Sequence, residues 1–214
     1  MLTGLSAVRA DLAAERPVGS QEDVHFTMAL AEAVIGRYSP PGGWVLDPFA
    51  GYATTLVAAC RLGRRCVGVE LLEERAQAAA RRLEGAGHLV IGDARRLGHM
   101  LNLEVDLCFT SPPYMSAVGH AENPLTGYTT LDGVYSTYLD ELGDVFRQVA
   151  HLLRPSAYVV INVADTGPGG GTPLVADVEA RVSMHLRLEQ RIPVVWDDPP
   201  PVISNDTCLV FRPF

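Results

Sequence analysis

The chain has 214 residues, 48% hydrophobic and 20% charged, which suits one compact domain with a sizeable core. Its formal net charge is −8 and all 17 basic residues are Arg, which excludes a surface built for autonomous, non-specific nucleic-acid binding, since neutralising phosphates needs a basic face. No run approaches the roughly 18 uninterrupted apolar residues of a membrane span, and residues 1–22 lack the apolar segment of a signal peptide, so the expected location is cytoplasmic with no membrane partner.

In chain order, residues 1–20 read as an N-terminal arm and 21–214 as a single domain. Residues 44–49 (WVLDPF) form the first β-like run, followed by a helix-like stretch at 54–62. A second run at 65–71 precedes a helix at 72–83, and further runs occupy 88–93 and 105–110. Residues 135–153 place Leu139, Leu142, Val145, Phe146, Val149 and Leu153 at three-to-four-residue spacing, one buried helical face. Residues 158–163 form a fifth run, and 186–196 and 206–214 close the chain through the Pro-rich connection 197–205. Two runs joined so directly pair antiparallel. The expectation is an α/β fold with one mostly parallel seven-stranded sheet, helices on both faces and an antiparallel C-terminal hairpin. Cys60, Cys66, Cys108 and Cys208 are scattered without a C-x-x-C pair and read as buried free thiols, not as a disulfide or metal framework.

The first strand leads into Asp47-Pro48-Phe49-Ala50-Gly51-Tyr52-Ala53-Thr54-Thr55, a small-residue turn that opens a helix and lets backbone N–H groups approach a ligand. Glu70 follows about 20 residues on, at the end of the next strand, where a doubly wound fold places the acceptor of ribose hydrogen bonds. Asp93 ends the third run in Gly92-Asp93-Ala94. Three acids ending three successive strands line one crevice and suit a nucleoside.

DPFAGYATT resembles the D-P-F-x-G-x-G-T-T motif of the DNA amino-methyltransferases, which use S-adenosylmethionine. The resemblance extends through Leu56-Val57-Ala58-Ala59 to Val67-Gly68-Val69-Glu70, and upstream to His25-Phe26-Thr27 and the helix ending at Tyr38. It implies a Rossmann-like class I methyltransferase fold and S-adenosylmethionine as cofactor. The cofactor-binding residues it implies run from His25, Phe26 and Thr27 through Asp47, Pro48, Phe49, Ala50, Gly51, Thr54 and Thr55. They continue with Glu70, Leu71, Gly92, Asp93, Ala94 and Thr110. One departure is Ala53, where the motif has its second glycine; its methyl is expected to shift or weaken cofactor binding.

The fourth run ends at Thr110 and passes into Ser111-Pro112-Pro113-Tyr114, where the same family holds its target amino group with a D/N/S-P-P-Y/F/W sequence. The chemistry fits. A conjugated exocyclic nitrogen is a poor nucleophile. The Ser111 side chain and Pro112 carbonyl can accept its hydrogens and direct its lone pair toward a sulfonium methyl. The prolines preorganise those acceptors, and Tyr114 offers a flat face for a planar base. Transfer is a displacement governed by positioning and needs neither a Cys nucleophile nor a metal. In the family, Ser at the first position goes mostly with cytosine N4 and Asp more often with adenine N6. The resemblance therefore implies methylation of a nucleobase amino group in DNA or RNA, with no insertion large enough for a separate target-recognition domain.

The charge pattern points elsewhere. Between Arg96 and Arg147 there is no Arg or Lys, while Glu104, Asp106, Glu122, Asp132, Asp140, Glu141 and Asp144 fall in that interval. Arg61, Arg64 and Arg65, or Arg181, Arg187 and Arg191, are the remaining candidates for a basic patch. An amino or amide nitrogen of a small molecule or peptide is thus an alternative acceptor. A third reading is a cofactor-binding partner subunit of a larger methyltransferase, or a homo-oligomer. His120 and Asp165 are further candidates to face the site, and the glycines of 167–171 form either a lid or a plain connection.

Overall fold

The apolar runs of the sequence become strands of one sheet because each strand feeds two cores. The computed structural model describes residues 2–17, 26–117, 122–131, 133–166, 171–201 and 203–214. Its elements are β1 (Leu5–Ala7), α1 (Arg9–Ala14), α2 (Met28–Tyr38), β2 (Trp44–Asp47), α3 (Thr54–Arg61), β3 (Arg65–Glu70), α4 (Glu73–Leu83), β4 (His88–Ile91) and α5 (Leu97–Met100). After them come β5 (Val105–Thr110), α6 (Tyr135–Leu152), β6 (Leu153–Thr166), α7 (Leu174–Val182), β7 (Arg187–Trp196) and β8 (Ile203–Arg212). The strand order is β1-β7-β8-β6-β5-β2-β3-β4, with β8 antiparallel to both β6 and β7 and every other pairing parallel.

Alternation along the strands sorts side chains between the two faces. Leu46, Cys108, Ile161 and Leu209 face the core under α6 and α7, while Val45, Leu107, Val160 and Cys208 face the core under α2 and α3. On α6, Leu139, Leu142, Val145, Phe146 and Val149 are buried together, as their spacing predicts. The seven expected strands are all present, and an eighth joins them. Leu5–Ala7 pairs in parallel with Val194–Trp196, burying Leu5 and Ala7. Within the expected arm of residues 1–20, Leu5–Ala7 thus joins the sheet, and the Glu15 carboxylate accepts the Met28 N–H at 2.7 Å. Three residues are too short to show a period, which is why the strand escapes a sequence reading.

The four cysteines are free, with Cys66, Cys108 and Cys208 buried and Cys60 half-buried. Among the described residues no helix is long and apolar enough to cross a membrane. From β2 the chain winds outward through β3 and β4, then returns to build β5 and β6 on the other side of β2. That reversal opens a crevice at the carboxyl ends of β2 and β5, the place where open α/β sheets bind ligands.

Candidate active site

At the end of β2 the turn 48–53 folds back over the sheet. The Ala50 N–H donates to the Val69 carbonyl at 2.9 Å and the Ala53 N–H to the Ala50 carbonyl at 2.7 Å. Gly51 adopts φ +51°, and its N–H donates to Glu70 Oε2 at 2.9 Å, while Glu70 Oε1 accepts the Leu72 N–H at 2.8 Å. One carboxylate thus fixes two loops, and each of its oxygens keeps a lone pair for a ligand hydroxyl. Ala53 closes the turn. It takes the left-handed conformation glycine favours, with φ +66°, but its methyl is fully buried in the core beneath α3 and does not reach the cleft. Its cost is a backbone cost of about 1–2 kcal/mol.

Asp47 sits at the cleft base, 2% exposed. Its Oδ1 accepts the Phe49 N–H at 3.0 Å and the Thr110 hydroxyl at 2.6 Å. Burial pushes its carboxyl up to about 6, against the lowering effect of those donors.

The cleft is open to solvent. It gathers Phe26, Asp47, Pro48, Phe49, Ala50, Gly51, Thr54, Thr55, Glu70, Leu71, Gly92, Asp93, Ala94, Ser111 and Pro113, fifteen of the residues singled out from sequence. Thr27 and Thr110 stand behind the wall: Thr27 accepts the Leu30 N–H as the cap of α2, and Thr110 anchors Asp47. His25 and His120 lie outside the described residues, as do residues 167–170 of the glycine run. Asp165 turns out to be a capping residue, accepting the Val175 N–H at 2.9 Å.

The far side of the cleft holds what sequence reading missed. Asp93 Oδ1 accepts the Arg95 N–H at 2.9 Å, and the Arg95 guanidinium grips both carboxylate oxygens at 2.7 to 3.1 Å. Burial alone would raise the Asp93 carboxyl; the Arg95 contacts outweigh it and hold the group below the usual carboxylate range. Arg95 also reaches Glu141 Oε1 at 2.9 Å, and Glu141 Oε2 accepts from Asn123 Nδ2 at 2.8 Å. The turn that Asn123 begins forms the opposite wall through Pro124, Leu125, Gly127 and Tyr128. Tyr52 and Arg75 line the cleft as well, the guanidinium 5.9 Å from the ring centroid.

Ser111 and Pro113 carry the cleft round to the end of β5. Ser111 Oγ donates to the Tyr114 hydroxyl at 3.3 Å, and the Tyr138 hydroxyl donates to the Pro113 carbonyl at 2.9 Å. Pro112 is buried and Tyr114 half-buried against the core, so neither is part of the cleft wall itself. Burial raises the Tyr114 phenol well above its ordinary value, so it stays protonated.

The donor set fits an adenosine. Glu70 and Asp93 end adjacent strands and supply acceptors, while Phe26, Phe49, Leu71 and Leu125 supply flat apolar walls. Acids at both positions suit the ribose hydroxyls and adenine amino group that S-adenosylmethionine would present.

Comparison with known proteins agrees with that reading. Residues 17–81 match the family model described as DNA methylase. The type II methyltransferase M.SmaI of Serratia marcescens is 48% identical over 58 residues, 27% of this chain and 20% of that protein. The DNA adenine methyltransferase YhdJ of Escherichia coli is 43% identical over 60 residues, 28% of this chain and 20% of that one. The chain thus matches about a fifth of the length of these curated relatives. In fold it is similar to a TehB-like S-adenosylmethionine-dependent methyltransferase of Corynebacterium glutamicum, with TM-score 0.58 and 18% identity, covering 86% of this chain and 87% of that one. Residues 17–81 are thus similar to the DNA methylase family, and the fold is that of class I S-adenosylmethionine-dependent methyltransferases.

Proposed function

We propose that this chain transfers a methyl group from S-adenosylmethionine to an exocyclic amino nitrogen of a nucleobase in DNA, with cytosine N4 favoured over adenine N6. The carrying observation is that Ser111 of the S-P-P-Y sequence opens into the same cleft as the 47–55 loop, Glu70 and Asp93. Glu70 would hold the ribose hydroxyls, Asp93 the adenine amino group, and Phe26, Phe49 and Leu71 the apolar flanks. The bound cofactor would supply an electrophilic methyl. Ser111 directs its own proton to the Tyr114 hydroxyl, which leaves its oxygen lone pairs to accept a substrate N–H. Tyr138 fixes the Pro113 carbonyl, so the tetrapeptide meets the substrate already shaped. A serine hydroxyl is too weak a base to remove the proton released on transfer, which would leave to water. The preference for cytosine rests on Ser111. The likeness to an adenine methyltransferase keeps adenine within the reading.

The interval from Arg96 to Arg147, free of Arg and Lys, favours a second acceptor class, a small amine or peptide. Methyl transfer from labelled S-adenosylmethionine to unmethylated DNA, RNA and a metabolite extract separates them. Label in DNA, lowered about 100-fold by Ser111→Ala with S-adenosylhomocysteine binding intact, supports the proposal, and digestion identifies the base. Label confined to RNA or to the extract overturns it.

A further inference from the structure

We infer that Arg95, Glu141 and Asn123 form a strut that ties the outer wall of the cleft to Asp93, so that cofactor affinity, more than the transfer step, depends on it. The inference rests on the proposed binding of S-adenosylmethionine.

The strut spans three separate parts of the chain. Arg95 follows β4, Glu141 projects from α6, and Asn123 begins the wall turn. The Arg95 guanidinium spends Nε and Nη2 on Asp93 and Nη1 on Glu141, so its planar fork fixes the two carboxylates relative to each other. The second Glu141 oxygen takes the Asn123 amide hydrogen. Asn123 is 1% exposed and shapes the wall turn. Its Oδ1 accepts the Leu125 N–H at 3.0 Å, and its carbonyl accepts the N–H groups of Thr126 at 3.1 Å and Tyr128 at 3.3 Å. The turn then lies directly on the loop after β3. At Gly127, φ +67°, an added Cβ would stand 2.8 Å from Leu72 Cδ2.

Both ends of the strut touch the cleft: Asp93 and Arg95 at one end, Pro124, Leu125, Gly127 and Tyr128 at the other. A ligand held by Asp93 therefore meets a wall whose position is set through the same guanidinium. Ser111 follows β5 and bonds to Tyr114, and the Tyr138 hydroxyl holds Pro113, both outside this chain of bonds. Loss of the strut should loosen the cofactor and leave the reacting geometry in place. Arg95, Glu141 and Asn123 are positioning residues in this scheme.

Glu141→Gln is the informative variant. A glutamine can accept through one oxygen only, so it serves Arg95 or Asn123 but not both. Asn123→Ala cuts the same link from the other side. Calorimetric titration with S-adenosylhomocysteine is expected to show affinity about 10-fold weaker in each single variant. Asn123→Ala also removes the acceptor of the Leu125 N–H, so the double variant should be no weaker than Asn123→Ala alone, the Glu141 link being already broken there. The KM for S-adenosylmethionine should rise in parallel while kcat at saturating cofactor holds within about threefold. Affinities that multiply in the double variant, or unchanged affinity in folded single variants, overturn the strut. If Glu141→Gln does not fold, Asn123→Ala alone decides by the same KM-against-kcat split. A wild-type chain that binds no S-adenosylhomocysteine overturns the proposed function itself, and the strut's role with it.

Discussion

Asp47 shows the conflict a single residue resolves at the end of β2. The turn needs an acceptor for the Phe49 N–H and the Thr110 hydroxyl, and the position that supplies it is buried. Burial pushes the carboxyl from 3.8 to about 6, so ionising it in place costs about 3 kcal/mol. The folded chain holds this proton more tightly than the unfolded chain does. The associated stability is therefore full below about pH 4 and is lost as pH rises through about 6. Asp47→Asn keeps the Oδ1 acceptor and removes the titration. Urea unfolding at pH 4, 5, 6 and 7 should show wild-type stability falling relative to Asp47→Asn by roughly 2–3 kcal/mol across that range. A constant difference would mean that Asp47 is ionised throughout.

Among the elements, α6 does most to connect the fold to the site. Tyr138 and Glu141 are three residues apart and so share one side of the helix. One holds the Pro113 carbonyl of the tetrapeptide and the other holds Arg95 and Asn123. Tyr138→Phe removes one buried hydrogen bond, costing about 1–2 kcal/mol, and frees the Pro113 carbonyl to move. Steady-state kinetics should show kcat several-fold lower with the S-adenosylmethionine KM unchanged, the reverse of the Glu141→Gln pattern. An unchanged kcat would show that the tetrapeptide holds its shape without α6. The sequence displays the apolar stripe of α6 because Leu139, Leu142 and Val145 repeat at helical spacing. It hides the roles of Tyr138 and Glu141, whose partners Pro113 and Arg95 are 25 and 46 residues away with no local pattern to announce them. The residues from Asp47 to Thr55 were legible for the opposite reason. Turn, acceptor and helix start are contiguous there, and each fixes the identity of its neighbours. Only the backbone sign at Ala53 was concealed.

At the scale of the molecule, a winding reversal at β2 gathers the ends of four strands into one cleft, and charge decides what can approach it. The six arginines that offered a basic patch are engaged at home. Arg61 pairs with Glu32, Arg181 with Asp140, Arg187 with Glu189 and Arg191 with Glu179. Arg64 donates to Ser39 and the Leu62 carbonyl, and Arg65 lies over the Trp44 ring. Exposed pairs of this kind are individually weak, yet each puts a carboxylate or carbonyl where a phosphate would have to sit. With a net charge of −8, the DNA substrate of the proposed reaction would be held through its base and few phosphates. Each phosphate neutralised contributes a slope of about −0.9 in log affinity against log salt. One or two contacts then predict a loss of only about 3- to 12-fold between 50 and 200 mM salt. Fluorescence anisotropy of a labelled oligonucleotide across that range measures it. A loss of about a thousandfold would require six or more phosphate contacts and would overturn this mode of holding.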